Sequence, residues 1–514
     1  MQEVPLIALP PALRSVFDWF RRRITAAGKT HVSKPVQREK KPNKKAAWVQ
    51  DLSFVFEECA RVHELVSNTP PGEFKNLPRT DVGGDLPHPS GRGNMVCSVA
   101  GVRRVRHLAE QALLSSDAGG TLEQERVCRA FRTIIVDRFL KEEMQIDERN
   151  VEKAMASAVK IAKRDRADTV HYLPCRLMYM AKPDSFSVGP VTFMTVTQFN
   201  QRMAEKFGVY ARGDGSKDMI VEDGLLEDAR HYYDGFTWVG QVEILNCDDG
   251  ISKMRGQLAV TAALNFIHVM FGSYHTDRMM VGGPRMDNDR RAHITMKPDG
   301  EVDVSCSWSA TSAVGFHEGW EKLLEKETAP LLISAAGKAI EPITNPALKR
   351  PLATRLTDAA GWFGDAVRED SPAAQIVKAV TALEALVMTG ERIDIASEVS
   401  ARAAALCFDP ERDGTFEDVN KEMSHAYDMR SRLAHGSLSP FDAEVTQYAR
   451  QCLYWAERAI GGALVLFESH GLLERDLSSK QLKDGLTRLI VAAKQLSDEG
   501  PKASEHAQDG GRGG

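Results

Sequence analysis

Tyr427-Asp428-Met429-Arg430-Ser431-Arg432-Leu433-Ala434-His435-Gly436 closes a helical stretch that begins near Phe416, and its reading decides the fold of the C-terminal part of the chain. Met429 and Leu433 continue the three- and four-residue apolar spacing of FEDVNKEMSHAYDMRSRLA, and Gly436 supplies a residue that ends a helix. The segment therefore predicts one helix of a bundle, with an arginine and a histidine five residues apart at its C-terminal end.

Four more stretches of the same texture surround it: LATRLTDAAGWFGDAV (352–367), AAQIVKAVTALEALVM (373–388), IASEVSARAAALCF (395–408) and EVTQYARQCLYWAERAIGGALVLFESH (444–470). They are separated by Asp370-Ser371-Pro372, by Gly390, by Asp409 to Gly414 and by Gly436 to Pro440. Helices with one apolar stripe and short connections pack as an antiparallel bundle.

The rest of the chain reads differently. The 514 residues are 43% hydrophobic and 27% charged, enough for two to four domains. Residues 1–50 carry eleven Lys or Arg against Glu3, Asp18 and Glu39, a net of +8 that leaves about −13 on the remainder. This composition predicts a basic, disordered leader that can touch phosphate, with an amphipathic turn or two at Arg14–Arg23.

Helical spacing returns in DLSFVFEECARVHELV, then a Pro/Gly-rich loop runs over residues 69–93, and helices resume from about Val102 to Lys163. HYLPCRLMYM, FSVGPVTFMTV and RAHITMKPDGEVDVSCSW read as strands, with Pro298-Asp299-Gly300 as a turn. The apolar stretch MRGQLAVTAALNFIHVMF between them predicts a buried helix.

The expected class is α+β, a mixed N-terminal and middle region followed by an all-α bundle. Its parts are a leader (1–50), a helical region (51–165), a mixed α/β domain (166–345) that could act as a sensor, the bundle (346–474), and a C-terminal helix with a disordered tail after Ser497 (475–514).

Several chemistries are excluded or disfavoured by the residues themselves. The eight cysteines stand singly with no C-x-x-C pair, which argues against zinc ribbons and disulfide scaffolds and for a reducing cytoplasm. No apolar run reaches membrane-spanning length, and the N-terminus lacks a signal-peptide pattern.

Gly28-Lys29-Thr30 ends like a phosphate-binding loop, but Arg23 stands where its first glycine should be. His317-Glu318 is followed by Glu321 where a zinc-binding H-E-x-x-H needs histidine. Asp287 and Asp289 fit a solvated turn better than a cation site. No G-x-S-x-G is present, and His171, His231, His268 and His293 have no partners at ligand or triad spacing. His268 is expected in a core. No cofactor and no metal are called for.

Arg430 and His435 supply a permanent, phosphate-matching cation and a group that takes or gives a proton near neutral pH. Together they suit cleavage of RNA through its own 2′-hydroxyl. A five-residue step turns a regular helix by about 500°, which leaves the two side chains about 140° apart. Convergence needs either a loosened helix at Gly436 or two chains pairing across one cleft.

Trp362-Phe363, then Thr381 to Val387 (TALEALV), ARAAAL and Tyr427 to Gly436, in this order, resemble the Apea-like branch of the HEPN superfamily over about residues 352–470. The resemblance implies a four- or five-helix bundle that dimerises and, in active members, a metal-independent endoribonuclease of antiphage defence or toxin systems.

Arg430 and His435 align with that family's catalytic arginine and histidine. Ser431 follows the arginine where many members carry Asn, His or Asp, although this branch often has Ser. Glu384 needs a partner such as Arg430 or Arg432 if buried, and Ser431, Arg432, Glu384 and Asp428 are the expected supporting residues.

The partners implied are RNA, a second copy of the chain, and a phage-derived or nucleic-acid trigger bound by the N-terminal region. The alternatives are a non-catalytic RNA-binding and dimerisation scaffold, in which Arg430 and His435 cap the helix end, and a nucleotide-binding helper.

Overall fold

A computed structural model describes residues 44–70, 72–73, 77–178, 182–210, 223–283, 288–296, 302–310 and 320–499. The expectations placed on residues 1–43, on Asp287 and on His317 lie outside these. The chain divides into two compact units. Among the described residues, one gathers 44–169 with 244–255, and the other gathers 170–243 with 256–499.

In the first unit, helices α1 (Lys44–Asn68), α2 (Val99–Leu114), α3 (Gln124–Ile135) and α4 (Glu148–Ala162) enclose a core that includes Leu52, Val55, Leu108, Phe131, Ile135 and Val151. Two corrections to the sequence reading fall here. Residues 44–50, assigned to the leader, are the first turns of α1, because Trp48 and Val49 pack on this core and Lys45 pairs with Glu152 at 2.7 Å.

The Pro/Gly-rich stretch also contains a hairpin, β1 (Gly84–Pro87) paired antiparallel with β2 (Asn94–Cys97). Its tip is drawn together by His88 and Gly93, whose N–H and carbonyl meet at 3.0 Å. The glycines there supply turn geometry inside what composition alone presents as a loop.

The second unit contains a five-stranded sheet in the order β4–β5–β6–β3–β7, built from β3 (Ala167–Arg176), β4 (Ser185–Val188), β5 (Val191–Thr195), β6 (Trp238–Cys247) and β7 (Met280–Val281). The ends of β3 and β6, at 167–169 and 244–247, are counted with the first unit. Helices α5 (Val196–Tyr210), α6 (Asp223–Tyr233), α7 (Asp249–Phe271) and α8 (Ser273–Thr276) intervene, and strands β8 (Asn288–Met296) and β9 (Val302–Ala310) form a separate hairpin. Of the strands expected at 171–180, 186–196 and 291–308, the described residues form β3, β4, β5, β8 and β9, while residues 179–180 and the expected turn at Pro298-Asp299-Gly300 lie outside them, and α7 is buried along most of its length. An aromatic cluster of Phe186, Phe193, Trp238 and Trp320 closes the sheet, with ring centroids 5.2–6.1 Å apart.

The bundle comprises α9 (Ala329–Thr344), α10 (Pro351–Val367), α11 (Pro372–Val387), α12 (Ile395–Cys407), α13 (Phe416–Ala434), α14 (Ala443–Ser469) and α15 (Ser479–Glu499). Arg355 near the start of α10 donates to the carbonyl of Ala385 near the end of α11 at 2.8 Å, so this pair runs antiparallel.

The bundle is larger than the sequence boundaries 346–474 allow. Helix α9 packs on α10 and α14 through Leu332, Ala335, Ala336, Ala339 and Ile340, and α15 packs on α12. Helix α15 reaches Glu499, two residues beyond the expected start of the tail, and Ser497 accepts the Phe416 N–H at 2.9 Å.

Gly189, in the β4–β5 turn with φ +56°, lies against Gly337 of α9 so closely that a Cβ on either would collide with the other's backbone. Sheet and bundle therefore share one compact unit. Among the described residues, no helix is long and apolar enough to cross a membrane.

Candidate active site

Helix α13 carries four of the six residues singled out from sequence, Asp428, Arg430, Ser431 and Arg432, and His435 caps its end. It starts at a capping box, in which Thr415 accepts from the Asp418 N–H and the Asp418 carboxylate accepts from the Thr415 N–H. Phe416, Val419, Met423, Ala426 and Met429 form its buried face, against α11 and α12 among others.

At its other end the Ser437 N–H reaches the Arg432 carbonyl at 2.9 Å and the Gly436 N–H reaches that of Leu433 at 3.3 Å. This is the paired hydrogen bonding of a Schellman cap, and Gly436 at φ +72° provides the left-handed residue that it requires. His435 is the C-cap residue, with φ −94° and ψ 1°.

The helix is therefore regular up to its cap, and the loosening that would bring Arg430 and His435 together within one chain is absent. Arg430 turns inward, and its Nη2 donates to Glu384 Oε2 of α11 at 3.0 Å, both side chains being about three-quarters or more shielded. His435 is exposed, and its ring has no hydrogen bond or ion pair among the described residues.

The partner expected for Glu384 is thus Arg430 and not Arg432. Arg432 instead lies 3.6 Å from Asp428 and 3.8 Å from Glu444 at the start of α14, beside His425, which is 4.0 Å from Glu444. Asp428 is therefore joined to Arg432 and not to Arg430. Ser431 is half-buried, and its carbonyl accepts the His435 N–H at 3.0 Å.

Tyr427 belongs to the site although the sequence reading gave it no role. It precedes Arg430 by three residues, which puts both on one helix face, and that spacing is the signal that identifies it. The Arg430 guanidinium carbon sits 5.7 Å from the Tyr427 ring centroid. Burial raises the Tyr427 phenol above its ordinary range, the Glu384 charge adds to this, and Arg430 opposes it.

The guanidinium is held from two sides while keeping spare hydrogen-bonding capacity. Its Nε is buried with no hydrogen-bond partner, and about a quarter of the side chain remains open to solvent. A positive, planar group fixed by a carboxylate and a ring, with donors unspent, is suited to an oxyanion.

A second layer fixes the end of α11, the helix that presents Glu384. Arg402 of α12 is fully buried, donates to the Val387 carbonyl at 3.0 Å, and pairs with Glu391 at 3.0 Å and Glu398 at 2.6 Å. The Arg402 guanidinium holds the Glu391 carboxyl well below the usual carboxylate range. Arg458 of α14 is likewise paired through two 2.6 Å bonds with Asp413 and donates to the Cys407 carbonyl. Neither arginine was distinguishable in sequence from a solvated one.

Among the described residues, no group of three or more His, Cys, Asp or Glu side chains is arranged to hold a metal ion. Compared with known proteins, the chain matches no family model, no curated protein and no solved structure.

Proposed function

We propose that the chain is a HEPN-type endoribonuclease that cleaves RNA at a cleft shared by two copies of its helical bundle. The observation that carries this reading is Arg430, braced by Glu384 and Tyr427 with about a quarter of its side chain open to solvent, five residues before an exposed His435 on the cap of the same helix.

In this reading His435 takes the proton of an RNA 2′-hydroxyl, whose oxygen attacks the adjacent phosphorus. The P–O5′ bond breaks, and a second proton, carried by His435 of either copy, goes to the leaving 5′-oxygen. The products are a 2′,3′-cyclic phosphate and a 5′-hydroxyl, and no water is consumed. Arg430 stabilises the extra negative charge on the pentacoordinate phosphorus. Glu384 and Tyr427 keep the guanidinium oriented and do not touch the substrate.

The regular helix favours a second chain, since ideal helix geometry turns Arg430 and His435 about 140° apart. The regions before the bundle are where a trigger would act, in keeping with a defence or toxin effector that must be held inactive. The residues also suit a second role, that of a dimerising RNA-binding scaffold, because a histidine and arginines near a helix C-terminus are favoured there by the helix dipole alone.

The test is incubation of the wild-type chain, Arg430→Ala and His435→Ala with end-labelled tRNA and messenger RNA in EDTA, with analysis of the ends. Cleavage by wild type alone, leaving 2′,3′-cyclic phosphate, is the expected result. Equal cleavage by all three proteins overturns the site. Inert proteins that still bind RNA, even in extract of phage-infected cells, favour the scaffold.

A further inference from the structure

Three of the arginines of α2 and α3, in the first compact unit, make no ion pair among the described residues. These helices carry six arginines, Arg103, Arg104, Arg106, Arg126, Arg129 and Arg132, against two glutamates, Glu110 and Glu125. Three are occupied: Arg104 pairs with Asp51 at 2.7 Å, Arg126 with Asp165 at 3.4 Å, and Arg132 with Glu125 at 3.9 Å. The side chains of Arg103, Arg106 and Arg129 are exposed and make no ion pair or hydrogen bond among the described residues.

Their positions bring them to one surface. Arg103 and Arg106 are three residues apart on the exposed side of α2, outside the stripe of Val105, Leu108 and Ala112. Gln124, the first residue of α3, donates to the Arg106 carbonyl at 3.0 Å. Arg132, near the other end of α3, acts on the Cys97 thiol just before α2 begins.

The two helices pack on each other and run antiparallel, and Arg129 is on the exposed side of α3, away from buried Val127, Cys128 and Phe131. Like charges three residues apart on a helix repel; Glu110, four residues after Arg106, shares that face but makes no ion pair with either arginine, and six arginines against two glutamates leave the two helices net positive.

We infer that this two-helix face is a binding surface for the phosphodiester backbone of RNA. Guanidinium groups match phosphate in geometry, remain charged at every physiological pH, and are weakly hydrated, so they exchange water for phosphate readily. A surface of this kind gives affinity without reading sequence. The choice of RNA among polyphosphates rests on the function proposed above, whereas the surface itself is argued from charge and position.

The test measures binding of a fluorescein-labelled, unstructured RNA by the full chain in EDTA across a salt series, all proteins carrying His435→Ala so that the probe is not cut. Each phosphate contact to a single strand contributes about 0.7 to the slope of log K against log salt. Changing Arg103, Arg106 and Arg129 together to alanine is expected to lower that slope by about 2. Equivalently, the loss of affinity between 50 and 200 mM salt becomes smaller by roughly 20-fold.

Lysine at all three positions is expected to restore the slope, and each single alanine to remove about a third of the effect. A triple-alanine chain that keeps the wild-type slope overturns the proposal and leaves the face to an acidic protein partner. Lysine failing where alanine fails overturns it as well, because the effect would then be structural. A DNA strand of the same sequence that loses slope equally supports backbone recognition, whereas a loss confined to DNA overturns the assignment to RNA. Cleavage is not read, so failure of the nuclease reading leaves this result interpretable.

Discussion

His268 lies on α7, fully buried, and its ring is held from both sides. Nδ1 is 2.8 Å from the Thr276 hydroxyl, which itself donates to the Gly272 carbonyl, and Nε2 is 3.0 Å from Arg368 Nη1. An arginine can only donate, so Nε2 accepts and the proton sits on Nδ1, facing Thr276. Burial, with the Arg368 charge in support, lowers the His268 pKa from 6.5 to about 3. Unfolding restores the ordinary value, so the unfolded chain takes up a proton that the folded chain refuses.

The contribution of His268 is therefore complete above about pH 6.5 and is lost as pH falls from there toward 3. At pH 5 the interval from the unfolded value is 1.5 units, which corresponds to about 2 kcal/mol at 1.36 kcal/mol per unit. Glu457, whose carboxyl burial raises above its ordinary range while it accepts the Ser273 N–H at 2.8 Å, works in the opposite direction. The total pH profile is consequently a poor test, and the difference between two proteins is a good one.

Urea unfolding of wild type and His268→Gln at pH 7.5 and pH 5.0 isolates the effect. Glutamine can accept from Arg368 at the same edge and does not titrate. Wild type is expected to lose about 2 kcal/mol more than the variant between the two pH values. Equal losses would refute a buried neutral imidazole, whatever the absolute stability of the variant.

Asp413→Ala leaves Arg458 charged and buried without its two 2.6 Å bonds, and is expected to cost about 3–5 kcal/mol in urea unfolding; a loss under 1 kcal/mol would show that solvent reaches the pair. Glu384→Gln keeps the volume but removes the charge facing Arg430, and should cost about 1–3 kcal/mol in stability and reduce RNA cleavage more than RNA binding. Gly436→Ala meets no atom within 4 Å but must hold φ near +72°, so a cost of about 1–2 kcal/mol is expected from backbone strain alone; a neutral result would mean that the Schellman cap has rearranged. For the shared cleft, specific cleavage activity should fall on dilution through the range where sedimentation shows the dimer dissociating, and constant activity there would show that one chain suffices.

The helices of the bundle are legible because each buries one stripe, and the stripe imposes three- and four-residue spacing on Ile376, Ala379, Val380 and Leu383 as plainly as on Val419, Met423 and Ala426. Strand β6 is not legible in the same way. It alternates only from Gly240 to Ile244, where Gln241 and Glu243 separate buried Gly240, Val242 and Ile244, while Trp238-Val239 before and Leu245-Asn246 after break the two-residue period, so the alternating run is too short to stand out. Nor does any local feature announce that residues 244–255 return to the first compact unit, since that depends on contacts between segments far apart in sequence.

The site divides along the same line. Glu384 stands out because a carboxylate in ALEALV demands a partner, and Tyr427 is legible from its spacing to Arg430, but Arg402 and Arg458 lie in helices where an arginine looks solvated until its neighbours are known. Helical arithmetic also separates Arg430 from His435 before any coordinates are considered, and the cap at Gly436 preserves that separation by keeping the helix regular to its last turn. A chemistry that needs both groups at one phosphate is therefore better served when one of them comes from a second chain, which is why the dependence of activity on dilution bears directly on the proposed site.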